Sequence, residues 1–341
     1  MLGCWLRTIG GLWLGLLVLC AGAVYYGRSM SPSPKAVYLY RPDSVAFFRV
    51  LDLRTMAHYD FPVVHSSNRT PLWSPDGRYI YFRDRTNAEF ELDIYAHDTT
   101  TGRNRRLYTE PLNQHPVDLS PDGRYLAYLS EMPGTPLMGY VYDLYTGARS
   151  PTLFSISDLN DLRFVSFAWS HGSRYLLFTE QLDLYRYDTQ TDYIDALLKG
   201  EMVLRPQWLP DDTAIAYYEG DDVRVYDLTT YTIETQLADF EERPRLFYAP
   251  DGAQAVYIDS NAQGLDIVHI DLTTNATRPL VTTRANDMPL RWLSATVLLY
   301  QVRYDAERYV DLYEINVATG ATQFIQRIPT LHTALWYPDE Q

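Results

Sequence analysis

The chain has 341 residues, of which 46% are hydrophobic and 21% charged, and its formal net charge is −14. This composition excludes a disordered or collagen-like chain, and the negative charge argues against a nucleic-acid-binding protein, which needs basic residues to neutralise phosphates. Tyrosine is frequent, with 29 residues, and because aromatic side chains suit half-buried pleated surfaces, this favours β-structure.

The first predicted element is an uncharged, apolar segment from Thr8 to Tyr26. It is long enough to cross a bilayer core of roughly 30 Å. Two interpretations stay open: a cleaved signal peptide ending in the small residues Ala21-Gly22-Ala23, or a retained anchor with Tyr25 and Tyr26 at the membrane interface. We favour the anchor. In both cases the segment places the rest of the chain outside the cytoplasm.

These signals divide the chain into a signal anchor or signal peptide (residues 1–28), a tether (residues 29–35) and one large domain (residues 36–341). We expect a single-pass protein of the cell membrane, with the domain periplasmic or at the cell surface; cleavage of the segment would make it secreted. Both cysteines, Cys4 and Cys20, belong to the first segment. The domain therefore has neither a disulfide scaffold nor a cysteine nucleophile.

Two series of residues repeat along the domain. A Pro-Asp-Gly turn follows an aromatic residue or Leu at Trp73, Leu119 and Tyr248, with degenerate copies after Trp169, Trp208, Trp292 and Trp336. A polar residue ends an apolar strand at Asp52, Asp98, Asp143, Asp188, Asp227, Asp271 and Asn316, in steps of 39 to 46 residues. A period of about 44 residues is typical of a four-stranded propeller blade. The recurring Asp is predicted to accept hydrogen bonds from turn amides.

The two ends of the domain supply parts of one further blade. Ala36–Tyr40, Phe47–Leu51 and the stretch after His58 would form its second to fourth strands, and Leu331–Tyr337 its first. Pairing of these terminal strands would close a ring of seven blades and remove exposed sheet edges. Six blades remain an alternative if the terminal strands only cover an edge.

The copies Trp-Ser-Pro-Asp-Gly-Arg-Tyr at residues 73–79 and Ser-Pro-Asp-Gly-Arg-Tyr at residues 120–125 resemble TolB-type propeller repeats. Such repeats also occur in the propellers of prolyl oligopeptidases and tricorn-like proteases. The resemblance extends from about residue 36 to 339 and implies an all-β, seven-bladed propeller. The TolB translocation protein has a separate domain before its propeller, whereas this chain has only the apolar segment and the tether, so we do not expect a direct role in a Tol–Pal-like system.

Motifs for catalysis or metal binding were not found. The chain lacks the Gly-x-Ser-x-Gly motif of the propeller-linked hydrolases, and His171-Gly172-Ser173 occupies the place of a Pro-Asp-Gly turn, so we interpret it as a degenerate turn. The seven histidines include no His-x-His or His-Glu-x-x-His pair. We therefore expect no catalytic residues, no metal and no cofactor.

One group of basic residues suggests a binding site. A residue with a basic side chain stands shortly before each first strand, at Arg69, His115, Arg163, Arg205, Arg243, Arg245, Arg291 and His332. First strands line the channel of a propeller, so these residues would surround one channel mouth. Arg presents a planar donor fork to carboxylates and phosphates, which predicts an anion-binding ring. The alternative is that these residues pair with the abundant acidic side chains.

These expectations lead to a non-enzymatic, membrane-tethered propeller that binds a protein partner or a small anionic ligand, with no nucleic-acid partner. Two alternatives stay open. One is a hydrolase of lactonase-like or glycan-acting type, with a cross-blade site in the channel. The other is a regulatory or sensing partner of a separate enzyme.

Overall fold

Twenty-eight β-strands make up the part of the chain that the computed structural model describes. Described are residues 33–40, 46–63, 70–85, 92–107, 113–131, 134–156, 165–240, 244–261, 264–282, 286–303, 309–329 and 334–336. The predicted apolar segment and the first part of the tether lie outside these residues. Within them, no helix is present that has the length and hydropathy needed to span a membrane.

The strands group into seven consecutive blades. Blade 1 contains β4 (Leu72–Trp73), β5 (Tyr79–Arg85), β6 (Leu92–Asp98) and β7 (Arg103–Arg106); blade 2 contains β8 (Asn113–Leu119), β9 (Tyr125–Glu131), β10 (Leu137–Asp143) and β11 (Phe154–Ile156). Blade 3 contains β12 (Phe167–Trp169), β13 (Tyr175–Glu180), β14 (Asp183–Asp188) and β15 (Tyr193–Leu198); blade 4 contains β16 (Leu204–Trp208), β17 (Ala214–Glu219), β18 (Asp222–Asp227) and β19 (Ile233–Leu237). Blade 5 contains β20 (Phe247–Tyr248), β21 (Gln254–Asn261), β22 (Gly264–Asp271) and β23 (Thr277–Val281); blade 6 contains β24 (Asn286–Trp292), β25 (Val297–Arg303), β26 (Tyr309–Asn316) and β27 (Thr322–Pro329). Blade 7 combines β28 (Ala334–Trp336) with β1 (Lys35–Tyr40), β2 (Ala46–Asp52) and β3 (His58–Val63).

Each blade is an antiparallel sheet of four strands, and the terminal blade closes the ring. Its strand order is β28-β1-β2-β3, and Ala36 of β1 pairs with Leu335 of β28. Blades 5 and 6 are additionally linked by one parallel pair, Leu265 with Asn286. The predicted all-β propeller is confirmed, with seven blades rather than six.

The Pro-Asp-Gly turns form because their hydrogen bonds are local. In blade 1 the Gly77 amide donates to the Ser74 carbonyl at 2.9 Å, and the Tyr79 amide donates to Ser74 Oγ at 2.7 Å. Gly77 has φ +66°, a conformation that glycine adopts without steric cost. In the degenerate copy Ser173 takes this place, with φ +61° and its amide 2.9 Å from the Ser170 carbonyl. The interpretation of His171-Gly172-Ser173 as a turn is confirmed.

The recurring Asp residues close the turns between third and fourth strands, as predicted. Asp271 Oδ1 accepts from the amides of Thr273 and Thr274, each at 2.9 Å. Asn316 occupies the same position in blade 6, and its Oδ1 accepts from the Thr319 amide at 3.0 Å. An acceptor oxygen therefore suffices at this position, and the repeated Asp is structural.

Tryptophans at the ends of first strands connect neighbouring blades. Nε1 of Trp73 donates to the Ala334 carbonyl at 3.2 Å, Nε1 of Trp208 to the Ala168 carbonyl at 3.0 Å, and Nε1 of Trp292 to the Phe247 carbonyl at 2.9 Å. Trp169 is also buried, but its Nε1 has no hydrogen-bond partner in the part of the chain described. Each bond ties a first strand to the first strand of the preceding blade, so the channel wall is held across blade boundaries.

Candidate functional site: the central channel

The channel wall consists of the first strands, which contact their counterparts in neighbouring blades, as β12 does with β8 and β16. Three of them are irregular beside a proline. The pairing register shifts between Pro116 and Asp118 in β8 and between Pro289 and Arg291 in β24. It also shifts around Pro206 in β16, next to Arg205, which has φ +50°. Proline donates no ladder hydrogen bond and is tolerated on edge strands and at bulges, so these channel-lining strands accommodate it.

Two adjoining cavities lie against these strands. The first has a volume of about 440 Å³ and reaches across blades 3, 4 and 5; it is lined by Ser166, Phe167, Ala168, Arg205, Pro206, Gln207, Tyr218 and Arg245. The second has a volume of about 450 Å³, and its walls come from blades 2 to 6. Phe167, Ala168, Gln207 and Arg245 belong to both, so the two are parts of one space, which we call the channel site.

Three of the predicted basic residues lie in the channel site. Arg205 and Arg245 line the first cavity, and Arg245 and Arg291 line the second. All three side chains are exposed, and they come from three successive blades. The Arg245 guanidinium lies 5.3 Å from the ring centre of Phe247, and in the described residues it forms no salt bridge. The site therefore contains donor groups that an incoming anion can reach.

The structure does not describe any of the other predicted basic residues as part of the channel site. His115 belongs to β8, whereas Arg69, Arg163, Arg243 and His332 lie outside the described residues. The structure thus places three guanidinium groups together, and a basic ring in all seven blades stays a prediction.

A carboxyl group that sequence analysis missed also lines the channel site. Asp118 is half-buried at the end of β8 and belongs to the second cavity. Burial raises the pKa of its carboxyl to about 6, although the Leu119 amide, 2.9 Å from Oδ1, and the charge of Arg245 both act to lower it. Burial prevails because the ionised form loses solvation that one amide and one positive charge do not replace.

Asp118 can be recognised in the sequence when the seven blades are aligned with one another. In each blade we compared the position directly before the aromatic residue or Leu that ends the first strand. It is occupied by Leu72, Asp118, Ala168, Gln207, Phe247, Arg291 and Leu335. Asp118 is the one carboxylate among them. Most other blades have an uncharged residue at this position. An acidic residue here is therefore the pattern that would have identified Asp118.

The chemistry available in the channel site is anion binding and proton exchange. Guanidinium groups bind oxyanions through paired donors, and a carboxyl with a pKa of about 6 gains or loses its proton near neutral pH. His171 also lines the site, with Nδ1 2.9 Å from Asp212 Oδ1. No group of three potential His, Cys, Asp or Glu metal ligands occurs among the described residues.

Comparison with known sequences gives only partial likenesses. No family model matches the chain. Over 157 residues, 45% of its length, it is 27% identical to a component of eukaryotic translation initiation factor 3 from Anopheles gambiae. The chain spans only about a fifth of that relative's length, since the match covers 21% of it. This likeness establishes no family for the chain.

Comparison with solved structures bears on the fold. A prolyl endopeptidase superposes with a TM-score of 0.64 at 13% identity, covering 89% of this chain and 49% of that one. The propeller domain of the Trilobed protease from Pyrococcus furiosus gives 0.60 at 14% identity (87% and 95% covered), and it has an open velcro topology, whereas here β28 pairs with β1. An oligogalacturonate lyase in complex with manganese gives 0.54 at 15% identity, with 88% and 86% covered. At these identities the likeness concerns the fold alone, and the chain is a seven-bladed β-propeller, the fold implied by its resemblance to TolB-type repeats.

Proposed function

We propose that this chain is a non-enzymatic binding module whose channel site binds an oxyanion, carried either by a small molecule or by a protein partner. The observation that carries the proposal is the convergence of Arg205, Arg245 and Arg291 on one space. Arg245 forms no salt bridge among the described residues, so its guanidinium group, together with the positive charges of Arg205 and Arg291, favours occupation of the cavity by a negative group. The apolar segment at residues 8–26 would tether this module to a membrane, with the propeller outside the cytoplasm.

The cluster of arginines in the channel site contrasts with the negative charge of the whole molecule. The chain carries a formal net charge of −14, and many of its arginines pair with carboxylates on the blade surfaces, as Arg124 does with Asp143 at 2.8 Å and Arg174 with Asp188 at 2.7 Å. Arg245 has no such partner among the described residues. A cavity concentrates the field of its lining charges, so an anion would be attracted here despite the acidic surface.

Isothermal titration calorimetry on the full chain, kept in mild detergent for its apolar N-terminal segment, tests the proposal with inorganic phosphate and citrate as probes. Loss of one charge-assisted contact removes about 1.5–3 kcal/mol of binding, so R245A should bind at least about tenfold more weakly than wild type. R105A is the matched control, because Arg105 is an exposed arginine on β7 in an outer part of blade 1. Equal affinities of R245A and R105A would contradict the proposal, as would the absence of binding by wild type.

A second candidate function, a channel enzyme, is favoured by one observation. Asp118 combines a carboxyl whose pKa is raised to about 6 with a neighbouring positive charge, that of Arg245, and such a carboxyl can act as a general acid or base near neutral pH. The lyase with the same fold acts on oligogalacturonate. Incubation with oligogalacturonates and sugar lactones tests this candidate: turnover by wild type that is lost in D118N would replace the binding module with an enzyme.

A further inference from the structure

The channel site contains its own anion. Asp118 lines the same cavity as Arg245 and Arg291, and its charge is near enough to Arg245 for the two groups to influence each other. An ionised Asp118 repels any second anion in the cavity, and it presents only acceptors to the ligand's oxygens. A protonated Asp118 has neither effect, because it is neutral and its hydroxyl can donate a hydrogen bond.

We propose that an oxyanion binds in the channel site together with one proton, which Asp118 takes up from solvent, so that the ligand's charge replaces that of the Asp118 carboxylate in the cavity that Arg245 also lines. This inference rests on the proposed function. Guanidinium groups and a protonated carboxyl are all donors, so the class of ligand is an oxyanion that offers acceptors only: a carboxylate, a sulfate ester or a phosphodiester. Ligands with an ammonium group would instead need Asp118 ionised.

The other polar groups at the cavity are less suited to this role. Arg245 and Arg291 supply positive charge and only hydrogen-bond donors. Burial raises the pKa of the Tyr248 hydroxyl above its usual range, so it stays neutral in the range of the experiment. His171 lines the cavity as well, but its ring pairs with Asp212, which lies on the turn after β16. Asp118 is thus the carboxyl inside the cavity, and His171 is the group that must be tested against it.

The experiment is calorimetric titration of the full chain with sodium sulfate, whose charge does not change between pH 5 and 8. If only the protonated form binds, the apparent affinity follows the protonated fraction of Asp118, and a pKa of about 6 gives a loss of about 100-fold between pH 5 and 8. Repeating the titration at pH 7.5 in two buffers of different ionisation enthalpy should report about one proton taken up per sulfate.

Three variants separate the outcomes. D118N should bind sulfate at pH 8 nearly as tightly as wild type does at pH 5, with a flat pH profile and no proton uptake. H171Q should keep the wild-type profile, and D259N, at an exposed residue on β21, is the control for loss of one carboxylate. Sulfate binding by wild type with a flat profile, or a profile that H171Q flattens, would overturn this inference and leave the anion site in place. Absence of sulfate binding at every pH, in wild type and D118N alike, would overturn the proposed function as well.

Discussion

Replacing Asp118 with Asn should stabilise the protein, and increasingly so as the pH rises from about 4 to about 7. The folded state raises the pKa of this carboxyl from 3.8 to about 6, so between these values the folded chain binds more protons than the unfolded chain. Stability then falls as pH rises. Below about pH 3 the group is protonated in both states and contributes nothing, whereas above about pH 7 the buried charge exerts its full destabilising effect.

The magnitude follows from the difference between the two pKa values. About two pH units at 1.36 kcal/mol each give about 3 kcal/mol as the upper limit. Asn keeps the size of the side chain and an oxygen that can accept from the Leu119 amide, so the change removes the charge and little else. We expect the unfolding free energies of D118N and wild type to differ by only about 0.5 kcal/mol at pH 4, and D118N to be more stable by up to about 3 kcal/mol at pH 7.5.

The assay is urea unfolding of wild type and D118N at pH 4, 5, 6 and 7.5, since urea leaves charge interactions unscreened, unlike guanidinium salts. The quantity of interest is the difference between the two free energies of unfolding at each pH, because other carboxylates affect both proteins equally. D259N, in which an exposed carboxylate is lost, should show no such growing difference. A D118N variant that is less stable at pH 7.5, or a difference that does not change with pH, would refute the reasoning.

Three further predictions concern the ring itself. W208F loses the bond from Nε1 to the Ala168 carbonyl and should cost about 1 kcal/mol more of unfolding free energy than W169F, because Trp169 Nε1 has no partner among the described residues. D271A should destabilise by about 1–2 kcal/mol through the loss of two turn hydrogen bonds, whereas D271N, which keeps the acceptor, should stay within about 0.5 kcal/mol of wild type. G139A should destabilise by about 1–3 kcal/mol, because a Cβ at Gly139 would overlap the buried Phe154 ring of the neighbouring strand β11.

Urea unfolding at neutral pH measures all three, and each pair of variants contains its own control. Equal costs for W208F and W169F would show that the tryptophan bonds between blades contribute no net stability. A destabilised D271N would mean that the charge, rather than the acceptor oxygen, matters at the turn. For the glycine, G172A is the comparison, since a Cβ there would meet only Asp212 Oδ2 at 3.4 Å; equal effects of the two alanines would contradict the argument from close approach.

The fold was predictable because its determinants are local. A Pro-Asp-Gly turn is complete within a few residues, and so is an Asp that accepts from the amides two and three residues further along. Their repetition every 39 to 46 residues gives the number of blades. Closure was also predictable, because the incomplete sets of strands at the two ends complement each other. The apolar segment at residues 8–26 and its membrane role stay predictions, since they lie outside the described residues.

The candidate site was predictable only in part. The sequence indicated Arg205, Arg245 and Arg291 as channel residues, since each stands at or before a first strand. Asp118 stands out only when the same position is compared across all seven blades, and its raised pKa results from burial, which no single repeat reveals. Trp169 Nε1 has no partner in the part of the chain that the structure describes, and this likewise depends on the geometry of the neighbouring blade.

The sequence by itself determined the architecture: seven blades, their turns and the joining of the two ends, all encoded in short motifs that form the same hydrogen bonds wherever they occur. Only the tertiary structure decided the contents of the channel. Arg205, Arg245 and Arg291 are 40 and 46 residues apart along the chain, and they line the same channel site as Asp118 because ring closure brings the inner strands together around one axis. Charge interactions depend on distance and burial, and both are properties of the closed ring rather than of any one repeat.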